Sequence, residues 1–368
     1  MRYLALVLAL LVPACAGTAA SETPVLPADL AVVYAITEVH TTGPNTAIYA
    51  RNAASGAVTL IYRDPAEGDR ILLRTGTADL VGAGRALPPE DICVIIGRPV
   101  VETPAACADA MSRLRLPASP GQQAQPEALF VVPPCFSVAS PYGRWNRAPI
   151  FAVAPGERRF AYPAVRIGEA ELPRPAIRIV SADGVEEWRI PLDADNLYVA
   201  DLAWSPDGDS LAYLVMPLGD EHTLDESLLP RAGLYLANVP QRTTRLLYHC
   251  YADAVAWGPE DDEITVAARA REFWDSRYIG EVISISAAES VRQFSLLGSV
   301  VTMAYSPGGQ WLAVQASYEG GQQVWVYHRE QGWGQRLVSL MPDGGRLALL
   351  GWARLTRPET SRAQESAP

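Results

Sequence analysis

Four segments of this chain align with one another without a gap: FAVAPGERRFAY at 151–162, LAWSPDGDSLAY at 202–213, VAWGPEDDEITV at 255–266 and MAYSPGGQWLAV at 303–314. Each carries a proline, Pro155, Pro206, Pro259 and Pro307, at successive intervals of 51, 53 and 48 residues. Three positions before each proline stands an alanine (Ala152, Ala203, Ala256, Ala304), and five positions after it a large apolar residue (Phe160, Leu211, Ile264, Leu312). A period of this length is the mark of a chain built from copies of one supersecondary unit. Such a unit cannot bury its apolar face alone and must stack on its neighbours.

Each column of the repeat has a physical reading. A strand ends at the aromatic, Ser-Pro-Asp-Gly makes a tight turn, and a second strand returns. The recurrent alanine suits an innermost strand crowded around an axis, and Trp204, Trp257 and Tyr305 are placed to pack between adjacent sheets. A second hairpin follows each unit, as in GLYLANVPQRTTRLLYH (233–249) and QVWVYHREQGWGQRLVSL (323–340). Four antiparallel strands in about fifty residues make a propeller blade. The expectation is therefore an all-β chain, a β-propeller of four-stranded blades. Six blades are favoured, with seven as the alternative.

The ends of the chain show how such a ring closes. LAVVYAITEV (30–39) aligns with the second strand of a blade, and TAIYARNAASGAVTLIYRD (46–64) supplies the third and fourth. RLALLGW (346–352) reads as a first strand, with Trp352 on the same period as Tyr305. One C-terminal and three N-terminal strands would make the closing blade and remove the open sheet edges. The propeller is expected over 30–353, with an irregular inserted segment at about 76–145, in which 103–116 reads as a helix. The polar tail 354–368 is expected to be disordered.

WSPDGDSLAY (204–213) resembles the repeat of TolB-like propellers, a WD-repeat-like family of bacterial periplasmic proteins, and the likeness extends over 151–316. It implies the propeller fold, and it implies a scaffold that binds partner proteins. Similar repeats also form the propeller half of some serine peptidases, which need a separate α/β domain with a GxSxG elbow. No GxSxG occurs in this sequence.

Arg2 precedes an apolar run from Leu4 to Val12 that is too short to span a bilayer. The run ends Val12-Pro13-Ala14-Cys15 and resembles a bacterial lipoprotein signal over 1–14, with Cys15 lipidated and 15–29 a linker. Ordinary cleavage near Ala19 or Ala20 is the alternative. Both readings place the protein outside the cytoplasm, either lipid-anchored on the extracytoplasmic side of a bacterial membrane or free in the periplasm or medium. The four other cysteines, Cys93, Cys107, Cys135 and Cys250, are then expected to pair as disulfides, in one of three connectivities. The formal net charge of −11 disfavours nucleic acid as a partner.

Candidate chemistry is sparse. Gly208-Asp209-Ser210-Leu211 spells a lipase and esterase motif, but Ser210 stands in a repeat position that elsewhere holds Arg159, Glu263 and Trp311, so it reads as a turn residue. His40, His222, His249 and His328 are far apart, and Asp193-Ala194-Asp195-Asn196 lacks the rest of a calcium loop. No catalytic residue, cofactor or metal is assigned. The loops joining second and third strands are long and charged: Arg166 to Arg174, Asp220 to Arg231 and Arg269 to Tyr278. Arg271, Phe273, Trp274, Arg277 and Tyr278, with Asp220, Glu221 and His222, are the candidate rim for a protein, peptide or glycan partner. The competing reading of Phe273 and Trp274 is a cover for their own sheet. An extracytoplasmic binding or scaffolding propeller is the first functional expectation. A propeller lyase or hydrolase with a site in the central channel is the alternative.

Overall fold

The computed structural model describes residues 24–40, 43–63, 72–75, 91–92, 94–100, 108–115, 126–132, 136–137, 152–166, 176–193, 197–217, 230–258, 263–269, 279–286, 290–318, 321–341 and 345–354. Within them the chain is a succession of antiparallel strands. The first three are β1 (Leu30–His40), β2 (Gly43–Asn52) and β3 (Val58–Arg63). Next come β4 (Leu72–Thr75), β5 (Asp91–Ile92), β6 (Val94–Val100), β7 (Ala108–Arg115) and β8 (Pro126–Val132). Then follow β9 (Phe136–Ser137), β10 (Ala152–Val153), β11 (Arg159–Arg166), β12 (Ala176–Ser181) and β13 (Glu186–Pro191). The third group of repeat strands is β14 (Leu197–Trp204), β15 (Ser210–Pro217), β16 (Gly233–Asn238) and β17 (Thr243–Tyr248). The fourth is β18 (Ala252–Trp257), β19 (Ile264–Arg269), β20 (Ile279–Ile285) and β21 (Ser290–Leu297). The last are β22 (Ser299–Tyr305), β23 (Trp311–Tyr318), β24 (Gly321–His328), β25 (Gly334–Leu340) and β26 (Arg346–Arg354).

Five of the sheets are four-stranded antiparallel blades, so the molecule is an all-β propeller. Blade I is β26-β1-β2-β3, closed by one C-terminal and three N-terminal strands, with Trp352 opposite Val32. Blade II is β10 to β13, with β9 attached to β11. Blades III, IV and V are β14 to β17, β18 to β21 and β22 to β25. Among the described residues this makes five such blades, where six were favoured and seven were the alternative. The remaining sheet, whose strands after β4 fall in the segment expected to be irregular, is wired differently: β4 pairs with β6, while β5, β6 and β8 all pair with β7. The helix expected at 103–116 is also corrected, because Ala108–Arg115 is β7. Ala108, Ala110, Met111 and Leu114 favour helix intrinsically, but partners along β7 override that weak preference.

Burial follows position in the blade. Inner strands such as β18 are buried at every residue, whereas the outermost strand β17 is exposed along its first half. The core is thus a series of layers between blades. Ala152, Ile177 and Ile190 of blade II meet Trp204, Leu211 and Val215 of blade III in one layer, and blades III with IV, and IV with V, repeat the arrangement. The last layer joins blades V and I and takes in Leu26 from the segment expected to be linker.

The recurrent aromatic stitches these layers together. Trp204 Nε1 donates to the carbonyl of Ala152 in the preceding blade at 3.2 Å, and Trp352 Nε1 to that of Ala304 at 2.9 Å. Where the repeat substitutes tyrosine, the Tyr305 hydroxyl meets Thr265 Oγ1 at 2.7 Å, again across a blade boundary. The recurrent turn is equally regular. Ser205 N–H donates to Ser210 O, Ser205 Oγ accepts from Ser210 N–H at 2.8 Å, and Gly208 takes the left-handed φ of +75° that closes the turn. Ser306, Gly309 and Trp311 repeat this pattern 101 residues on.

Candidate binding face and the polar groups of the inner ring

Strand direction divides every blade into two ends. The connections β10–β11, β14–β15, β18–β19 and β22–β23 are the repeat turns, and they lie at one end, the turn end. Gly208 of blade III accordingly abuts Pro155 of blade II, and Arg159 Nη1 reaches Gly208 O at 3.3 Å. Connections between second and third strands lie at the other end, the loop end. Here blades II, III and IV differ from their neighbours. The chain leaves β11 at Arg166 and resumes at Ala176, leaves β15 at Pro217 and resumes at Gly233, and leaves β19 at Arg269 and resumes at Ile279. Blades I and V need only two residues, 41–42 and 319–320, for the same connection. A propeller requires no more than that, so length at this end of three adjacent blades is not demanded by folding.

Asp220, Glu221 and His222, and Arg271, Phe273, Trp274, Arg277 and Tyr278, lie in those connections and outside the described residues. The structure brings their anchoring strands to one end of the ring. The base of the 218–232 connection is held by Arg231, whose Nη1 donates to Asp193 O at 3.2 Å, while its carbonyl accepts from the Tyr235 hydroxyl at 2.9 Å.

The polar groups of the inner strands serve the backbone. An innermost strand has one edge with no strand beside it, and its N–H and C=O groups need partners. Asp201, 1% exposed, accepts from Leu202 N–H at 2.8 Å and from Val255 N–H, on the inner strand of the next blade, at 3.0 Å. Gln315 does the same at the ring closure. Its Nε2 donates to Leu347 O and its Oε1 accepts from Leu349 N–H, both at 2.7 Å, while Gln322 Oε1 accepts from Leu347 N–H at 2.6 Å. No sequence pattern marked these clamps, because Asp201 and Gln315 occupy different repeat positions.

Ion pairs fill the variable position of the repeat turn. Arg159 bonds Glu187 at 2.8 Å and Asp209 of the next blade at 3.4 Å, and Glu263 at the same repeat position pairs with Arg329 of the next blade and with Ser284. Ser210, also at this position, is not the turn residue expected but opens β15 opposite Asn238, with its N–H donated to Ser205 Oγ. Within blade II, Glu186 takes Arg178 and Arg189, and Arg178 reaches the Tyr162 hydroxyl at 3.4 Å. Burial alone would push the Glu186 carboxyl up, but hydrogen bonds from Arg189 and Arg178 outweigh it and hold the group below its usual range.

His249 is exposed, and His328 packs edge-on against Trp311 and accepts from Gln331 N–H. Among the described residues no group of three or more His, Cys, Asp or Glu is placed to hold a metal ion. Cys250 is a free thiol, which departs from the expected pairing of all four cysteines, and burial pushes it up to about 12. Cys93, Cys107, Cys135 and the lipidation candidate Cys15 lie outside the described residues.

No protein-family model matches the sequence, and no curated protein matches it. Solved structures do share the fold. TolB from Acinetobacter baumannii superposes with a TM-score of 0.54 at 13% identity, over 89% of this chain and 68% of that one. A structure assigned as TolB from Agrobacterium tumefaciens gives 0.52 at 12% identity, over 89% and 99%. An oligogalacturonate lyase in complex with manganese reaches only 0.44 at 12% identity, over 84% and 78%, a likeness from which nothing about activity follows. With its four-stranded antiparallel blades, strand-exchange closure and inter-blade aromatic clips, the chain has the β-propeller fold that the TolB structures share.

Proposed function

We propose that this protein is an extracytoplasmic binding or scaffolding propeller that engages a protein, peptide or glycan through its loop end, and that it acts by binding and not by catalysis. The observation that carries this reading is the placement of three long, charged connections on adjacent blades at one end of the ring, where blades I and V need two residues. Arg271, Phe273, Trp274, Arg277 and Tyr278, with Asp220, Glu221 and His222, supply aromatic and charged groups of the kind found at interface hot spots. The sheet of β4 to β8 takes a sixth place in the ring on this proposal, supported by the position of β4 against both β26 and β10. A lipid on Cys15 anchors the protein to the membrane.

The test is crosslinking and affinity capture from the native envelope with the wild type and Trp274→Ala. The partner recovered with the wild type should be lost or weakened by roughly 1–2 kcal/mol in the variant, at unchanged melting temperature. Undiminished binding together with a lowered melting temperature would make Trp274 a structural cover and move the binding face elsewhere. Turnover of a candidate polysaccharide or ester by the purified protein would favour the competing reading of a propeller lyase or hydrolase.

A further inference from the structure

We propose that the anchored protein stands on the membrane with its turn end toward the lipid and its loop end facing away into the periplasmic space. This rests on the lipid-anchored reading of Cys15 and adds to it an orientation, and so states which face is free to meet a partner.

The geometry comes from where the chain enters the ring. Blade I runs from β26 into the repeat-turn end, and β1 starts there, so Leu30 lies at the turn end. The segment before it is fixed at the same place. Leu26 is 6% exposed and packs into the layer that holds Leu30, Ala53, Ala304, Trp311 and Trp352. Asn52 Nδ2 donates to Ala28 O at 2.7 Å, and Ala53 N–H to Leu30 O at 2.9 Å, which tie the segment to the turn between β2 and β3. Val25, 86% exposed, is already in solvent. Among the described residues Leu26 is the buried one nearest Cys15 in sequence, and it lies at the turn end.

Chain length does the rest. Eleven residues lead from Cys15 to Leu26. Fully extended they span at most roughly 36–40 Å, and as a relaxed coil about 17–20 Å. The eight-residue strands β14 and β15 make the ring about 26 Å tall between its two ends. To turn the loop end to the membrane, the tether would have to cover at least the full height of a blade, beyond its relaxed span and roughly two thirds of its full extension, at a cost in chain entropy. With the turn end inward no such stretch is required. The long connections of blades II to IV then project away from the lipid.

The orientation is read by energy transfer from labelled sites to an acceptor lipid. Lipidated full-length protein is reconstituted into phosphatidylcholine vesicles with a minor share of phosphatidylglycerol and a rhodamine-headgroup lipid. A donor dye is attached at Ser55→Cys, in the exposed turn between β2 and β3 at the turn end, or at Met341→Cys, exposed at the loop end after β25. The unsubstituted protein labelled in parallel supplies the background. Donor emission should fall more at position 55 than at position 341. Equal loss at the two positions, or the greater loss at 341, overturns the orientation. A wild type that binds vesicles no better than Cys15→Ser overturns the lipid anchor instead.

Discussion

Gln315→Leu tests the clamp at the ring closure. The glutamine is 3% exposed, and its two amide atoms hold Leu347 O and Leu349 N–H, each at 2.7 Å. Leucine has nearly the same volume and no polar atom, so packing is retained and two buried backbone groups of β26 lose their side-chain partner. Leaving a buried donor or acceptor unsatisfied costs about 1–3 kcal/mol each, and the two share one strand, so the sum is roughly 2–4 kcal/mol. For a domain of this size that corresponds to a fall in melting temperature of roughly 3–6 °C. The loss is local in origin, since β26 enters the ring only at the end of the chain and its inner edge has no strand beside it. Hydrogen exchange monitored by mass spectrometry should show faster exchange in a peptide covering 346–354 than in peptides from β14 and β15. Gln315→Glu should be worse than leucine, because it keeps an acceptor for Leu349 N–H but turns a buried charge toward the Leu347 carbonyl. If the leucine variant melts with the wild type and 346–354 stays equally protected, the inner edge is satisfied in another way and the clamp argument fails.

Trp204→Phe keeps most of the buried area but orphans the Ala152 carbonyl, and should cost about 1–2 kcal/mol in denaturant unfolding, against about 3–5 for Trp204→Ala; a phenylalanine variant as stable as the wild type would mean that the indole N–H contributes nothing. Cys250, with its thiol pushed up to about 12 by burial, should react with a disulfide reagent only on unfolding, so rapid labelling of the native protein at neutral pH would refute the placement. The Glu186 carboxyl is held below its ordinary value of 4.5, so its stabilising contribution is full above that value and is lost as pH falls through the lower folded value. Glu186→Gln should therefore lose less stability than the wild type on acidification from about pH 5 to pH 3, and identical slopes would show that the Arg178 and Arg189 contacts are not made.

Much of the fold was legible in the residues alone because the repeat columns are local. Pro206, Asp207 and Gly208 dictate a tight turn wherever they stand, and the alternation on either side dictates two strands. Stacking of such units then needs a ring, and the leftover strand pattern at 30–64 and 346–352 has one use in a ring, which is to close it. The aromatic column announced its own burial, although not its donor role: only the folded ring shows that Trp204 and Trp352 reach the alanine carbonyl of the blade before.

What tertiary structure decided is what depends on neighbours distant in sequence. Residues 103–116 carry no repeat column and are rich in residues that favour helix, so nothing local pointed to a strand there, and pairing along β7 settled it. Asp201, Gln315, Glu263 and Arg329 are polar residues that look like surface in a linear reading. Their roles exist only because the ring sets one blade's side chain against the next blade's backbone or charge. The same holds for the loop end: the sequence shows three long charged stretches some fifty residues apart. That they rise from adjacent blades at one end, opposite the end where Leu26 enters, follows from strand direction in a closed ring.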